Sequence, residues 1–487
     1  MTDHPADQRL AIPTKIAFGI GASGEAATNW IFNALVFFYY NQILGLSGTL
    51  TAAAVTIGII SDAITDPLIG SISDRWRSRF GRRHPFMFLA PLPLVVCIYL
   101  MFNPPSTFEG VSLFLWFAGF TVLMRVCSTI FAVPHLAMGA ELSDDYFERT
   151  RVMAYNNVFT YIGVIAMHVA VWFVIFPAFD NGRMTQVAYL PVVLFCSSLI
   201  VICMLGSAFA TRGQIARMKP VPEDLPPFSI RQLIAEMLSA LGNRNYAYLL
   251  FGLFFLSLTI GTHETLGLYM GTFFWEFTDQ QIGWLILNNV FGYAIGFFAA
   301  ASIHQVIEKR WAIVLSAAGL SVMWSMSVNL RLLDLAPANT TWTLVAFIVF
   351  WGTFASACGS ILNISVMSAL ADIADDHERN TGRRQEGIFY SARTFFAKVT
   401  NGIGHVVAGI ALDVIEFPRG VAASEIAPEK IHALGIIDGP FAMVWGLIAA
   451  AIYSGYRIDR SYHAEVQKQL VARRDIGRGA MPQDQHR

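Results

Sequence analysis

The chain has 487 residues, of which 55% are hydrophobic and only 14% are charged, with a mean hydropathy of +0.52. Soluble domains carry about a quarter charged residues, so this composition excludes an ordinary soluble protein and indicates an integral membrane protein. The formal charge of -1 argues against nucleic-acid binding. The cysteines are odd in number and show no CxxC spacing, so neither a disulfide framework nor a zinc site is expected.

Twelve apolar runs reach the roughly 20 residues that a helix needs to cross a bilayer. They lie near residues 16–45, 49–74, 85–103, 111–139, 152–178, 188–210, 245–275, 281–302, 311–333, 341–372, 388–417 and 435–457. The polar segment that precedes them lacks the apolar core and cleavage site of a signal peptide. A proline-rich, polar stretch separates the sixth run from the seventh and is a predicted linker.

Most Lys and Arg residues lie at the termini and in the even-numbered loops; the odd-numbered loops carry only Arg183, Arg331, Arg419 and Lys430. Positive charge collects on the cytoplasmic side, so both termini are predicted to be cytoplasmic. The expected fold is all-α, with twelve transmembrane helices in two pseudo-symmetric six-helix bundles. The predicted segments are an N-terminal bundle, a cytoplasmic linker, a C-terminal bundle and a cytoplasmic tail, at 1–210, 211–244, 245–460 and 461–487. Such paired bundles favour a transporter.

The second run carries two acidic residues in the sequence SDAITDPLIG. Each carboxylate at mid-membrane costs about 2.5–3.5 kcal/mol on insertion scales, and such residues usually have a function. Asp62, Thr65 and Asp66 share one helical face through their i, i+3, i+4 spacing. Hard cations favour oxygen ligands, so this face is a predicted Na⁺ site, with a shared proton as an alternative. The competing interpretation is an ion pair with a basic residue on another helix.

Other runs supply candidate partners. Thr129, four residues after Arg125 in the fourth run, can complete the oxygen shell, although membrane threonines often bond their own backbone. Lys398 and Thr394 face one way in the eleventh run. Lys398 can neutralise the aspartates when no cation is bound, unless it snorkels to the membrane surface.

The seventh run contains His263 and Glu264. An intramembrane His-Glu pair predicts a polar solute contact or a proton relay. An inter-helix hydrogen bond is an equally good interpretation.

Two charged segments follow the second and tenth runs and are predicted to face the cytoplasm. Gly70 permits close helix approach, and ion pairs on this side can hold one conformational state closed, although an inside charge run is usually only the orientation signal. The candidate gate residues are Gly70, Asp74, Arg75, Arg79, Asp372, Asp375, Arg383 and Arg384. In the second segment, Asp372, Asp375 and Asp376 are expected to face Arg379, Arg383 and Arg384.

Three motifs carry a family resemblance: DAITDP (62–67), GRRHP (81–85) and ADIADDHERNTGRRQEGIFYSARTFFAK (371–398). Together they resemble the glycoside–pentoside–hexuronide:cation symporter family of the major facilitator superfamily, which includes melibiose permease. The resemblance covers nearly the whole chain and implies the facilitator fold, alternating access and coupling to Na⁺, Li⁺ or H⁺. It implies a coupling lysine at Lys398 and cation ligands at Asp62, Thr65, Asp66 and Thr129.

The sugar site of that family does not carry over. Ala26, beside Glu25, and Ala132 stand where melibiose permease has aspartates, and Asn157 stands where it has an arginine. The chain also resembles the sodium-dependent lysophosphatidylcholine symporters, through residues 133–155 and the turn near Asp413. This resemblance slightly favours an amphipathic, lysophospholipid-like solute over a glycoside.

The candidate solute cavity comprises Glu25, Arg125, Asn157, His263, Glu264, Arg393 and Thr394. No hydrolase, metalloprotease or P-loop motif occurs in the sequence, so an enzyme is not expected, and no cofactor beyond the coupling cation is implied. A passive pore or lipid scramblase is a further alternative. The expected protein is a monomer in the inner or plasma membrane, whose partners are the small-molecule or lipid solute and membrane lipid.

Overall fold

The computed structural model describes residues 10–217, 242–382 and 386–479. All regular secondary structure in these ranges is helical. Much of the predicted linker, at 218–241, lies outside the described residues. Helices α1 to α16 are, in order, Ile12–Ile31, Gly48–Arg75, His84–Leu89, Pro91–Phe102, Gly110–Glu141, Tyr146–Val169, Tyr189–Thr211, Arg244–Tyr269, Asp279–Trp284, Leu287–Val306, Lys309–Leu332, Trp342–Thr381, Glu386–Val414, Pro428–Ile436, Ala442–Tyr453 and Arg460–Gly479.

By length and composition, 11 helical stretches of the described chain can cross a membrane, and they correspond to the second to twelfth predicted runs. The first predicted run is α1, which continues through two π-helical segments, Phe32–Val36 and Tyr39–Ile43. Its polar residues, among them Glu25 and Asn29, make it less apolar than the others. The helical membrane architecture predicted from hydropathy is therefore confirmed.

Two helices differ from the expected pattern at the predicted cytoplasmic side. Helix α12 continues beyond the predicted end of the tenth run to Thr381, and Gly382 ends it with a positive φ of 71°. The charged residues of this segment thus extend the helix out of the apolar region instead of forming a loop. The predicted tail contains α16, whose Val466 and Leu470 are buried.

The described residues divide into two compact units. Unit 1 draws on Met1–Phe228, Glu264–Gly283 and His405–Ile431, and unit 2 on Ser229–His263, Trp284–Gly404 and His432–Arg487. The predicted division of the chain into halves at 1–210 and 245–460 stays a prediction.

In unit 1, α1 packs against α6 and α7, and α2 packs against α5. Helix α2 begins at a capped N-terminus, where Ser47 Oγ accepts from Leu50 N at 3.2 Å. The carboxylate of Asp413 accepts from the backbone amides of Gly48 and Thr49 at 2.9 and 2.8 Å. These bonds satisfy amides that have no partner inside the helix, and the negative charge suits the helix dipole.

Gly163 allows α6 to approach α1 closely. A Cβ at this position would lie 2.5 Å from the backbone oxygen of Ser23, which is too close for real atoms. We expect Gly163→Ala to destabilise the folded protein by about 1–3 kcal/mol, as overpacking does elsewhere. Thermal unfolding in detergent measures the effect, and Gly119→Ala is the control because nothing lies within 4 Å of that Cβ. Equal melting temperatures for the two variants would contradict the close contact.

In unit 2, α12 packs against α10 and α11, and α11 also packs against α15. Gly292 and Gly296 of α10 allow the close approach, because a Cβ at either position would lie 2.6 Å from a backbone oxygen of α12. The core of this unit includes the fully buried Ile313, Ala369 and Leu370. Side chains on α12 are thereby held in fixed positions.

Candidate functional site

The four predicted cation ligands lie together within unit 1. Asp62, Thr65 and Asp66 stand on α2, and Thr129 stands on α5. Thr129 Oγ1 donates to Asp66 Oδ1 at 2.9 Å, and the hydroxyls of Thr65 and Thr129 are 3.5 Å apart. These three residues, with Asp62 one helical turn before Asp66 on the same face of α2, make up the oxygen cluster. Its carboxylate and hydroxyl oxygens are of the type that hard cations favour.

The packing of α2 on α5 brings this cluster together, but the glycine responsible is not the predicted one. A Cβ at Gly58 would lie 2.3 Å from Thr121 Cγ2, so only glycine fits this crossing. At Gly70 a Cβ would meet Val133 Cγ1 at 3.6 Å, an ordinary contact. Within the described residues, the tight contact therefore lies at Gly58, and Gly70 makes only an ordinary contact with Val133.

Arg125 also joins the cluster. Its Nη1 lies 3.3 Å from Asp62 Oδ2 and 3.2 Å from Asn29 Oδ1 of α1. The exposed fractions are 8% for Arg125, 9% for Asp62 and 4% for Thr129. Both interpretations of the acid pair thus find support, since Asp62 contacts a basic residue and Asp66 contacts a hydroxyl.

His263 and Glu264 do not act as a pair in the structure. His263 is buried, and its Nδ1 lies 2.8 Å from Asp438 Oδ1 while its Nε2 lies 3.3 Å from Ser325 Oγ. Its ring stacks on Trp324 at 4.7 Å. Glu264 is exposed, because adjacent helical residues point about 100° apart. Asp438 was not among the predicted site residues, although it is an acid inside the twelfth apolar run.

The predicted coupling residue Lys398 stands on α13 with two predicted residues of the solute cavity, Arg393 and Thr394. Lys398 is partly buried, and so is Arg393, whose Nε is buried without a hydrogen-bond partner among the described residues. Thr394 is exposed and its Oγ1 donates to Tyr390 O at 2.9 Å, a bond to its own helix backbone. Lys398 belongs to unit 2 and Asp62 to unit 1, so the expected contact between their charges stays a prediction.

The two positions assigned to the solute cavity through the family resemblance have different environments. Glu25 of α1 is partly buried, whereas Asn157 of α6 is exposed. The neighbouring Asn156 has a buried amide oxygen without a partner in the described structure. A helical turn places Glu25 beside Asn29, whose Nδ2 donates to Glu25 O at 3.2 Å, and Asn29 in turn contacts Arg125. This bond goes to the backbone carbonyl of Glu25 and does not involve its carboxylate.

The charged segment after α2 forms an ion-pair network inside unit 1. Arg83 binds Asp74 Oδ1 at 2.5 Å and Glu141 Oε1 at 2.6 Å, and Arg82 also binds Glu141. Arg75 and Arg79 are exposed. The basic partner of Asp74 in this network is therefore Arg83 of the GRRHP motif, which turns back onto α2 and α5, and Arg83 was not among the predicted gate residues.

The acidic residues at the end of α12 contact α11 and α16. Asp372 pairs with Lys309 at 2.6 Å, and Asp375 accepts from Gln467 Nε2 at 2.6 Å. His463 Nε2 lies 3.3 Å from Asp372 and 3.1 Å from Asp375.

Asp376 pairs with Arg379 at 2.9 Å, as expected, while the predicted partners Arg383 and Arg384 lie outside the described residues. The contacts of α16 with Asp372 and Asp375 were not predicted, because residues 461–487 were expected to form only a tail. Asp459 immediately precedes α16 and accepts a hydrogen bond from Tyr462 N, which lowers the pKa of the Asp459 carboxyl.

The described helices share their arrangement with a solved membrane protein of known fold. The structure superimposes on a solved nucleoside transporter with a TM-score of 0.64 and 12% identity, covering 90% of this chain and 99% of that chain. Together with the membrane-spanning helices, this similarity in fold defines a multi-pass membrane protein.

The chain belongs to the family described as MFS/sugar transport protein, whose model matches residues 17–460. It is 24% identical to an uncharacterized symporter of Synechocystis over 97% of this chain and 99% of the relative. It is 21% identical to an Escherichia coli protein named as a putative glycoside/cation symporter, over 97% of this chain and 98% of that relative. It is 23% identical to the mouse sodium-dependent lysophosphatidylcholine symporter 1, over 96% of this chain and 90% of that relative. The chain is therefore a membrane transport protein of this family and not an enzyme, and the three relatives named here are called symporters.

Proposed function

We propose that the protein is a Na⁺- or H⁺-coupled symporter that moves an amphipathic organic solute, of the lysophospholipid type, by alternating access. The observation that carries the proposal is the cluster of Asp62, Asp66, Thr65 and Thr129 on two packed helices. Two acids with hydroxyls inside a membrane helix pair are costly unless they bind something. A monovalent cation that binds there offsets this cost.

The lipid-like solute is supported by the loss of the sugar-binding charges at Ala26 and Ala132 and by the relative named as a lysophosphatidylcholine symporter. The relative named as a glycoside/cation symporter supports a glycoside as the second candidate. In both cases Lys398 is the proposed coupling charge.

The proposed arrangement has both termini in the cytoplasm, as the distribution of basic residues predicts. We place the protein as a monomer in the inner or plasma membrane. The candidate gate residues close the cytoplasmic side in one conformational state. Movement of the proposed halves, 1–210 and 245–460, opens the solute site to one side of the membrane at a time.

Purified protein in proteoliposomes tests the proposal. An inward Na⁺ or H⁺ gradient is imposed, and uptake of fluorescent lysophosphatidylcholine is compared with uptake of a labelled β-glucoside, albumin being used to remove lipid from the outer leaflet. We expect accumulation of the lysolipid above its equilibrium level only while the gradient lasts. If the solute reaches the same level inside and outside the vesicles under every gradient, the protein is a passive pore or scramblase and symport is contradicted. Accumulation of the glucoside alone selects the second candidate.

A further inference from the structure

We propose that Arg125 recognises an anionic oxygen group of the solute, a phosphate or a carboxylate, after a cation has displaced it from Asp62. The inference rests on the proposed function, because it assigns a solute class to the same site. It is carried by the hydrogen bonds, burial and surroundings of one arginine in the membrane-spanning part of unit 1.

Arg125 is held less completely than the other buried arginines of its unit. Arg83 and Arg183, which are 4% and 7% exposed, each donate from Nε and from both Nη atoms. Both hydrogen bonds described for Arg125 come from Nη1, at 3.2 and 3.3 Å. Ion pairs of this type are normally 2.7–2.9 Å and frequently bidentate. The contact with Asp62 is therefore weak enough to exchange.

The guanidinium also has unused donor capacity. Its Nε is buried and has no hydrogen-bond partner among the described residues, although the side chain is only 8% exposed. A buried donor without a partner is costly, and an arginine offers a planar fork of donors that matches phosphate and carboxylate oxygens. The vacant donor and the long Nη1 bonds together leave room for a second anion.

The position of Arg125 is suited to a solute contact. Its Cζ lies 4.0 Å above the ring of Phe32, which fixes the plane of the guanidinium. Phe32 begins the π-helical segment Phe32–Val36, and such segments are frequent at functional sites. Asn29 connects Arg125 to the turn that carries Glu25, a predicted residue of the solute cavity.

Charge exchange at this arginine gives a physical basis for coupling. Asp62 and Asp66 carry two negative charges, and Arg125 neutralises one of them. When a cation binds the carboxylates, Arg125 loses its acidic partner, and a buried guanidinium without an anion is unfavourable. An anionic group of the solute can then take the place of Asp62. Each ligand thereby raises the affinity for the other, as thermodynamic linkage requires.

The experiment measures ligand-dependent thermal stability of the purified full chain, with NaCl or with choline chloride. The lipid probes are oleoyl lysophosphatidic acid, oleate and oleoyl glycerol, which share one acyl chain and differ in the anionic group. Methyl glucuronide and methyl glucoside form a matched pair of the sugar class. In the wild-type protein we expect Na⁺-dependent stabilisation by the anionic members of at least one class, and none by the neutral member of that class.

Arg125→Gln is expected to weaken binding of the anionic probe at least tenfold, equivalent to about 1.4 kcal/mol. Arg125→Lys, which keeps the charge but loses the fork, should fall between Arg125→Gln and the wild type. Without any probe, Arg125→Gln should be stabilised by lower Na⁺ concentrations than the wild type, because a competitor for Asp62 is gone. The control is Arg151→Gln, whose half-exposed side chain pairs with Glu148 and whose loss should leave probe binding unchanged.

Equal binding of anionic and neutral probes by the wild type overturns the inference, as does unchanged anion binding in Arg125→Gln or absence of binding by every anionic probe. If Arg125→Gln does not fold, Arg125→Lys decides by the same comparison. Failure of the proposed function has a different signature: neither Na⁺ nor protons stabilise the wild type, whatever probe is present.

Discussion

We expect Asp66→Asn to lower gradient-driven accumulation of the solute by about 100-fold, since coupling free energies between two ligand sites reach about 3 kcal/mol. Asp66 accepts a hydrogen bond from Thr129 at 2.9 Å and supplies the second carboxylate of the oxygen cluster. An asparagine keeps an oxygen acceptor for Thr129 and preserves the local packing. It removes the negative charge that a cation requires, so the loss should concern coupling rather than folding.

The neighbouring variant Asp62→Asn should behave differently. Asp62 contacts the buried Arg125, so its neutralisation leaves a guanidinium without its acidic partner. Breaking a buried pair on one side typically costs about 3–5 kcal/mol, although the long Nη1–Oδ2 distance places this pair near the lower end. Thermal unfolding should therefore show a clear loss of stability for Asp62→Asn and a small one for Asp66→Asn.

Proteoliposome uptake with an imposed Na⁺ or pH gradient measures the first effect. Asp144→Asn is the matched control, because its side chain is 74% exposed and its described ion pair is with the half-exposed Arg149. This control should transport and unfold like the wild type. Undiminished accumulation by Asp66→Asn under both gradients would remove the cation site from α2.

Hydropathy and helical spacing predicted the architecture and the oxygen cluster well, for a simple physical reason. A membrane-spanning helix must satisfy its own backbone hydrogen bonds, so apolar run length alone locates it. Charges within such runs are costly enough that Asp62, Asp66 and Arg125 are visible without a structure. The shared face of Asp62 and Asp66 follows from the period of the helix, and the structure brings Arg125 of α5 to Asp62.

The pairing of side chains from different helices could not be predicted in the same way. Which residue faces Asp74 depends on how the GRRHP turn folds back, and the sequence contains several arginines at comparable distance. The small residue at the α2–α5 crossing is Gly58 rather than Gly70 because the crossing point is fixed by packing, not by spacing. The contacts of α16 with Asp375 likewise depend on tertiary docking.

Asp438 is a different case, because the rule that identified Asp62 applies to it equally. It lies inside the twelfth apolar run and is only 6% exposed, within the π-helical segment Ile437–Phe441. The predicted partner of His263 was its sequence neighbour Glu264, whereas the observed partner is Asp438. The acid that contacts His263 stands far away in sequence, on a helix that packs against α11.

The interaction between His263 and Asp438 leads to the second large expected effect. Asp438→Ala should lower the free energy of unfolding by about 2–4 kcal/mol, because it leaves a buried imidazole without its acceptor. Asp438→Asn keeps an acceptor for His263 Nδ1 at 2.8 Å and should cost about 1 kcal/mol, the size of an ordinary hydrogen bond. Chemical unfolding of both variants in one detergent measures the difference.

The same two variants distinguish an inter-helix hydrogen bond from a proton relay. A structural bond between α8 and the segment that begins at Ile437 needs only an acceptor, so Asp438→Asn should retain uptake driven by a pH gradient. A relay needs a group that exchanges protons, which an amide does not do. Loss of H⁺-driven uptake in a stable Asp438→Asn protein, with Na⁺-driven uptake intact, would contradict the structural interpretation. The expected result is that transport per folded molecule is the same in the wild type, Asp438→Asn and Asp438→Ala, while the amount of folded protein follows stability.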